Sequence, residues 1–258
     1  MDRIQQALYK QQQSQSLEHA ENDLIGKIHY TQTRVEQVDK ATLLQNHIIA
    51  DCYDMPESML FRMLRTQLLQ KMRRHKWQVM AVTAPSAGEG TSMIAANLAV
   101  AMAMELNQTV LLVDLNLRHP AVAKQFGLSP QLGITDYLEH TNPLADILIN
   151  PGIERLVLLP GVGEVIESAE LLSSPTMAAL MTELRLRYPS RFILLDLPPL
   201  LPTDDVLLCQ AYVDSTLLVI ADGKNKPTQL KQVQQLLARY PLAGTVLNKS
   251  EQKTIQVY

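Results

Sequence analysis

The chain is predicted to be an α/β protein: a mostly parallel, doubly wound sheet flanked by helices. Three observations carry this. Apolar runs of strand length alternate with helical segments after residue 75, a pattern that demands right-handed crossovers and a sheet covered on both faces. The first run, Val79 to Thr83, passes through a glycine-containing turn directly into a helix. Two others, Thr109 to Asp114 and Arg191 to Asp196, end in a carboxylate, at the strand end where an open parallel sheet forms its ligand crevice.

Taken in order, residues 1–24 read as a helix in which Ile4 and Leu8 share a face, ahead of a Gln-rich polar stretch. A mobile polar arm and a partner-binding helix both fit it. Residues 25–50 read as a linker with one short strand or helix, so that residues 1–55 precede the main domain at 56–250 and a polar tail occupies 251–258. Pro56 to Arg74 is a helix with Met59, Leu60, Met63, Leu64 and Leu68 as its apolar face, and Arg62 and Arg65 on another side. Thr91 and Ser92 open a helix rich in Ala, Met and Leu that runs to Glu105. Gly133 to Leu138 and Pro143 to Ile149 read as short helices, and Arg155 to Leu159 as the third strand. Gly161 to Ala169 reads as a loop, after which Ser173 or Ser174 caps a helix over Thr176 to Tyr188. Asp204 and Asp205 stand where they would cap the next helix. Thr216 to Ala221 is the fifth strand, Pro227 to Tyr240 a helix, and Ala243 to Asn248 the sixth strand, ending in an amide.

Composition narrows the function classes. The 258 residues are 47% apolar and 19% charged, with a net charge of −3, which offers no electrostatic case for nucleic acid. Cys52 and Cys209 are far apart and lack metal-ligand spacing, so two reduced thiols of a cytoplasmic protein are expected. The longest apolar run, Met93 to Met104, falls short of the ~20 residues that span a bilayer. No direct membrane insertion is expected.

The chemistry concentrates in Val79 to Asn97, VMAVTAPSAGEGTSMIAAN. Strand, glycine loop and helix are the plan of a phosphate-binding loop, in which backbone N–H groups and a helix N-terminus make an anion site. The full pattern ends Gly-Lys-Ser/Thr; here it ends Gly90-Thr91-Ser92. The shape is present and the lysine is absent. Arg191 to Asp196 resembles a Walker B strand, whose carboxylate acts on Mg²⁺ or its water.

Together, FRMLRTQL (61–68), VTAPSAGEG (82–90), LLVDLNLRHP (111–120), LLDLPPLLPTDD (194–205) and GTVLNKS (244–250) resemble the bacterial tyrosine kinase (BY-kinase) family, CpsD/CapB type, of the MinD/ParA-like P-loop group. The resemblance runs from about Glu57 to Ser250. It implies ATP and Mg²⁺ as cofactors and a role in capsule or exopolysaccharide polymer synthesis and export. It also implies a membrane chain-length determinant (polysaccharide co-polymerase) that recruits the protein to the inner membrane, and a homo-oligomer. By the same resemblance Ala87, Gly88, Glu89, Gly90, Thr91, Ser92 and Asn248 bind the nucleotide, with Asn248 on the adenine side. Ser92, Asp114 and Asp196 hold Mg²⁺; Asp114, Asn116, Arg118 and Asp196 are the catalytic set. Arg62 and Arg65 carry subunit contacts, and Tyr258 is the phosphoacceptor.

The departures bear on mechanism. The family's loop lysine falls at Thr91, and the extra signature lysine of ParA-like relatives falls at Ser86. The motif Asp-x-Asp-x-Arg reads Asp114, Asn116, Arg118, and an amide cannot take a proton. The oligomerisation motif Glu-x-x-Arg-x-x-Arg begins instead with Met59, and the tyrosine cluster is reduced to Tyr258. Three readings follow: a nucleotide-binding regulator with impaired catalysis, an active tyrosine autokinase, and a ParA/MinD-like positioning ATPase. With Thr91 in place, weak ATP binding is expected unless another cation, such as Arg118 or one from a partner, supplies the charge.

Overall fold

The computed structural model describes residues 33–187 and 190–250; the helix expected over residues 1–24 and the tail with Tyr258 lie outside the described residues. Eight strands form one sheet: β1 (Arg34–Val35), β2 (Val79–Thr83), β3 (Thr109–Asp114), β4 (Ile149–Asn150), β5 (Leu156–Leu159), β6 (Arg191–Asp196), β7 (Ser215–Ala221) and β8 (Leu242–Asn248). Their spatial order is β1-β4-β5-β3-β6-β2-β7-β8. Every pairing is parallel except β4 with β5. The helices are α1 (Lys40–Gln45), α2 (Pro56–His75), α3 (Thr91–Ala103), α4 (Val122–Gln125), α5 (Ile134–Leu138), α6 (Leu144–Ile147), α7 (Ser168–Leu172), α8 (Pro175–Arg187), α9 (Asp205–Cys209) and α10 (Pro227–Leu237), with a 3-10 turn at Gln210–Tyr212.

All six expected strands form, and the sheet adds two short ones. β1 and β4 have two residues each, too few to show a period, and exist through their partners. Ile149, expected to end a helix, instead pairs with Arg34 on one side and Leu158 on the other. Part of the loop expected over 161–169 is helical, since α7 begins at Ser168. Ser174 rather than Ser173 caps α8, accepting from the Met177 N–H at 3.1 Å.

Alternate residues of the strands feed two apolar layers, one on each face. On one face α3 is buried from Ile94 to Ala103, a helix apolar all round because it is enclosed by α2 and the sheet. Its single polar interruption, Asn97, is fully buried and stitches the preceding segment to the core. Its Oδ1 accepts from the Ile49 and Ala50 N–H groups at 2.8 and 3.1 Å, and its Nδ2 donates to the His47 carbonyl at 2.8 Å.

The apolar face expected for α2 is rotated. Leu68, Leu69 and Met72 are its buried apolar residues, Phe61 and Leu64 pack partly against the core, and Met59, Leu60 and Met63 are exposed. The packing is set by the second half of the helix, which lies against α3. Both cysteines are buried and free. Among the described residues no helix is long and apolar enough to cross a membrane.

Candidate functional site

β2 leaves the centre of the sheet between β6 and β7. The chain turns through residues 84–90 into α3. Gly88 and Gly90 hold φ of +74° and +89°, a left-handed conformation that glycine reaches without steric cost. Gly90 is the N-cap residue of α3, so the first N–H groups of that helix have no intrahelical partner and face the loop. A cleft of about 280 Å³ opens there, walled by the loop, Ser92, Asn116, His119, Gln125 and Pro199.

Two carboxylates lie beneath it. Asp114 and Asp196 are register partners across β3 and β6 and both are fully buried. Their surroundings differ. Asp114 Oδ2 accepts from the Ala121 and Val122 N–H groups at 2.9 Å each, and Oδ1 from the Asn116 N–H at 3.2 Å. It therefore ties down the segment that follows its own strand. Burial nevertheless pushes its titration up to about 6, against those hydrogen bonds. Neither carboxylate oxygen of Asp196 meets hydrogen-bond geometry with a protein donor. Burial and the Asp114 charge hold Asp196 well above the ordinary carboxylate range, and the nearby Ser92 hydroxyl opposes the shift.

An orphaned buried carboxylate beside a second one and a serine hydroxyl suits a hard divalent cation, which neutralises the pair and takes its remaining ligands from water and phosphate. No group of three or more His, Cys, Asp or Glu side chains able to hold a metal without those ligands occurs among the described residues. The donor set fits Mg²⁺ delivered with a nucleotide.

The sequence-expected residues separate into those that reach the cleft and those that do not. Ala87, Gly88, Gly90, Thr91, Ser92 and Asn116 line it, with Asn116 Oδ1 buried and unpartnered. Glu89 turns inward and is fully buried. Its Oε1 accepts from the N–H and Oγ of Ser86, both at 2.8 Å, and its Oε2 from the Ala221 N–H at 2.7 Å and Asn225 Nδ2 at 2.9 Å. Asn248 reaches the loop from the end of β8 and donates Nδ2 to the Glu89 carbonyl at 2.7 Å.

Arg118 points elsewhere, its Nε 3.3 Å from the buried Asp205 carboxylate, which also accepts from Ser168 Oγ at 2.8 Å. Asp205 is thus an ion-pair partner rather than a cap, and Asp204, at the N-cap position of α9, makes no side-chain cap bond. Arg65 is engaged within the chain, with Glu105 at 3.4 Å and the Ala101 carbonyl at 3.4 Å, and Arg62 lies 4.8 Å over the Tyr53 ring.

Sequence reasoning missed His119 and Gln125 on the cleft wall, and two lysines that reach the loop. Lys224 donates to the Ala87 carbonyl, and Lys249 to the Gly88 carbonyl at 2.8 Å. Each follows the C-terminal end of a parallel strand, which was the available signal.

A side chain at position 90 has no room, because an added Cβ would overlap the Asn248 amide and the φ is left-handed. Gly90→Ala is expected to break the Asn248 bond and cost about 2–3 kcal/mol, read by urea denaturation. An unchanged midpoint would show that the loop relaxes freely.

No protein-family model matches the chain. The chain is 30% identical over 190 residues to "Tyrosine-protein kinase YwqD" of Bacillus subtilis (strain 168), covering 73% of this chain and 79% of that one. It is 29% identical over 235 residues to "Succinoglycan biosynthesis transport protein ExoP" of Rhizobium meliloti (strain 1021), covering 86% of this chain but 29% of that longer protein. Among solved structures, the chimerical protein CapA2B2 superposes with a TM-score of 0.73 at 27% identity, over 84% of this chain and 93% of that one. With an eight-stranded P-loop sheet, a glycine loop at its centre and this degree of identity, the chain belongs to the bacterial tyrosine-protein kinase family.

Proposed function

We propose that the protein is a nucleotide-binding regulator of exopolysaccharide or capsule polymer synthesis and export in which phosphoryl transfer is impaired. A phosphate cradle with no lysine at position 91 is the observation that carries this reading. The N–H groups of the loop and of the α3 N-terminus bind the phosphates, and the left-handed glycines let backbone approach them closely. Ser92 and Asp196 would hold Mg²⁺, which when bound neutralises charge on the β- and γ-phosphates. Asp114, already engaged by three backbone N–H groups, positions the Asn116 loop and adds negative charge beneath the site.

Transfer to a hydroxyl needs a base and a cation that follows the moving charge. Asn116 opens into the cleft but takes no proton. Thr91 is too short and uncharged. The name of one relative, succinoglycan biosynthesis transport protein, supports the polymer role. The family resemblance supports a membrane chain-length partner and Tyr258 as the residue modified if transfer occurs.

The test has two parts: calorimetric titration of the purified protein with MgATP and MgADP, and phosphotyrosine measured with and without the partner's cytosolic segment. Binding without phosphotyrosine is expected, and Thr91→Lys with Asn116→Asp is expected to raise transfer at least about 100-fold. Robust phosphorylation by the wild type, unchanged by the two substitutions, would overturn the impaired reading.

A further inference from the structure

We propose that Lys224 and Lys249 are the phosphate-contacting cations of this site, supplying from the ends of β7 and β8 a charge for ground-state phosphate binding, while transfer stays impaired because Asn116 offers no base and position 91 no cation inside the cradle. The proposal rests on the nucleotide-binding reading above and names how that site recognises its ligand. Both ammonium groups already lie on the loop, one on the Ala87 carbonyl and the other on the Gly88 carbonyl. An added Cβ on Gly88 would stand 3.1 Å from Lys224 Nζ, so that amine lies directly over the turn of the cradle. Both lysines are exposed, and neither is in an ion pair among the described residues. A lysine ammonium has three donors, and one carbonyl occupies only one of them. Neither lysine lines the cleft itself, and the flexible four-carbon stem is what lets each swing from its loop carbonyl to a phosphate bound there.

Two features hold these cations in place. The turn that carries Lys224 is clamped to the loop through Glu89, which accepts from Ala221 and from Asn225 on either side of it. Lys249, directly after Asn248, has a φ of +58°, a left-handed backbone that costs a non-glycine residue energy, and its amine reaches the Gly88 carbonyl. Arg118, the cation suggested by the sequence, is held by Asp205 instead. The structure therefore places two amines, contributed by separate crossovers, against the one loop whose own lysine is missing.

The experiment is calorimetric titration of MgATP and of AMP into the wild type, Lys224→Met, Lys249→Met, the double variant, the Lys→Arg variants, and each background carrying Thr91→Lys. A charge-assisted contact to phosphate predicts a loss of about tenfold in ATP affinity for each Met variant and about 30- to 100-fold for the pair. It predicts a smaller loss for AMP and retention by Arg. Thr91→Lys is expected to add little to the wild type and to restore most of the double variant's ATP affinity, a non-additivity that marks a shared role. If the wild type binds ATP and the double variant binds it equally well, nucleotide binding stands and the lysines only brace the loop. Equal losses for ATP and AMP, unrelieved by Thr91→Lys, overturn the proposal in the same way. A wild type that binds no nucleotide overturns both the proposal and the reading beneath it.

Discussion

Glu89→Ala is expected to be among the most destabilising single changes in the chain, lowering the unfolding free energy by about 4 kcal/mol and the melting temperature by roughly 10 °C. The side chain is fully buried and accepts four hydrogen bonds, from Ser86 N–H and Oγ, Ala221 N–H and Asn225 Nδ2. Removing it leaves the buried Ala221 N–H without an acceptor, at about 1–3 kcal/mol, and strips three part-buried donors of theirs at a smaller cost each. Glu89→Gln keeps the shape but turns an NH₂ group toward donors, so roughly half the loss is expected. ATP affinity is expected to fall with stability, because the same contacts hold the loop and the Lys224 turn together. A carboxylate facing the phosphates predicts the opposite, since removing a negative charge would tighten ATP. Urea denaturation with ATP titration of the three proteins separates these outcomes. An unchanged midpoint with tighter ATP would place Glu89 in the cradle.

That contrast shows where the sequence is legible. Glycine loop, apolar strand and helix are local signals, and Val79–Thr83, Thr109–Asp114 and Arg191–Asp196 form as expected because each is a short apolar run buried on both faces. Glu89 occupies a loop position that reads as ligand-binding. Two of its four hydrogen bonds come from nearby Ser86, but the other two come from Ala221 and Asn225, more than 130 residues later in the chain, and the local pattern does not show those.

The same holds for Lys224 and Lys249, which become loop contacts only once β7 has paired with β2 and β8 with β7. Arg118 reads as a site residue because it follows a carboxylate-ended strand, yet Asp205, buried and already bonded to Ser168, takes it. On α2, periodicity selects an apolar face that includes Met59 and Met63, which are 40% and 46% exposed. Met, Leu and Phe occur on more than one side of that helix, so the pattern leaves its rotation open until α3 packs against it.

Asp196→Asn is expected to make the metal-free protein more stable above neutral pH while abolishing its response to Mg²⁺. Asp114 and Asp196 are direct register partners on adjacent strands, so their carboxylates leave the same face about 5 Å apart. Two unit charges at that separation repel by up to about 3 kcal/mol at an effective dielectric of 20, and burial adds to the cost of charging either. Burial is the main reason both groups titrate above the ordinary carboxylate range, Asp114 at about 6, and the Asp114 charge raises Asp196 further. A carboxyl whose folded titration is raised holds its proton in the native state after the unfolded chain has released it. Stability therefore falls as pH rises from about 4 through 6 and beyond. The Asn variant removes one charge, so its advantage over the wild type is expected to be small at pH 5 and to reach up to about 3 kcal/mol near pH 8. Divalent cation with nucleotide reverses the order. The wild-type carboxylates, Asp196 foremost because its oxygens have no protein donor, gain a positive partner, and the wild type is expected to melt higher in MgADP than in ADP with EDTA, increasingly so toward pH 8. The variant should show no Mg²⁺ increment at any pH. Thermal melts of both proteins at pH 5, 6.5 and 8, with and without Mg²⁺, provide the measurement. A wild type more stable than the variant at pH 8 without metal would mean that Asp196 is held by a compensating partner rather than poised for a cation.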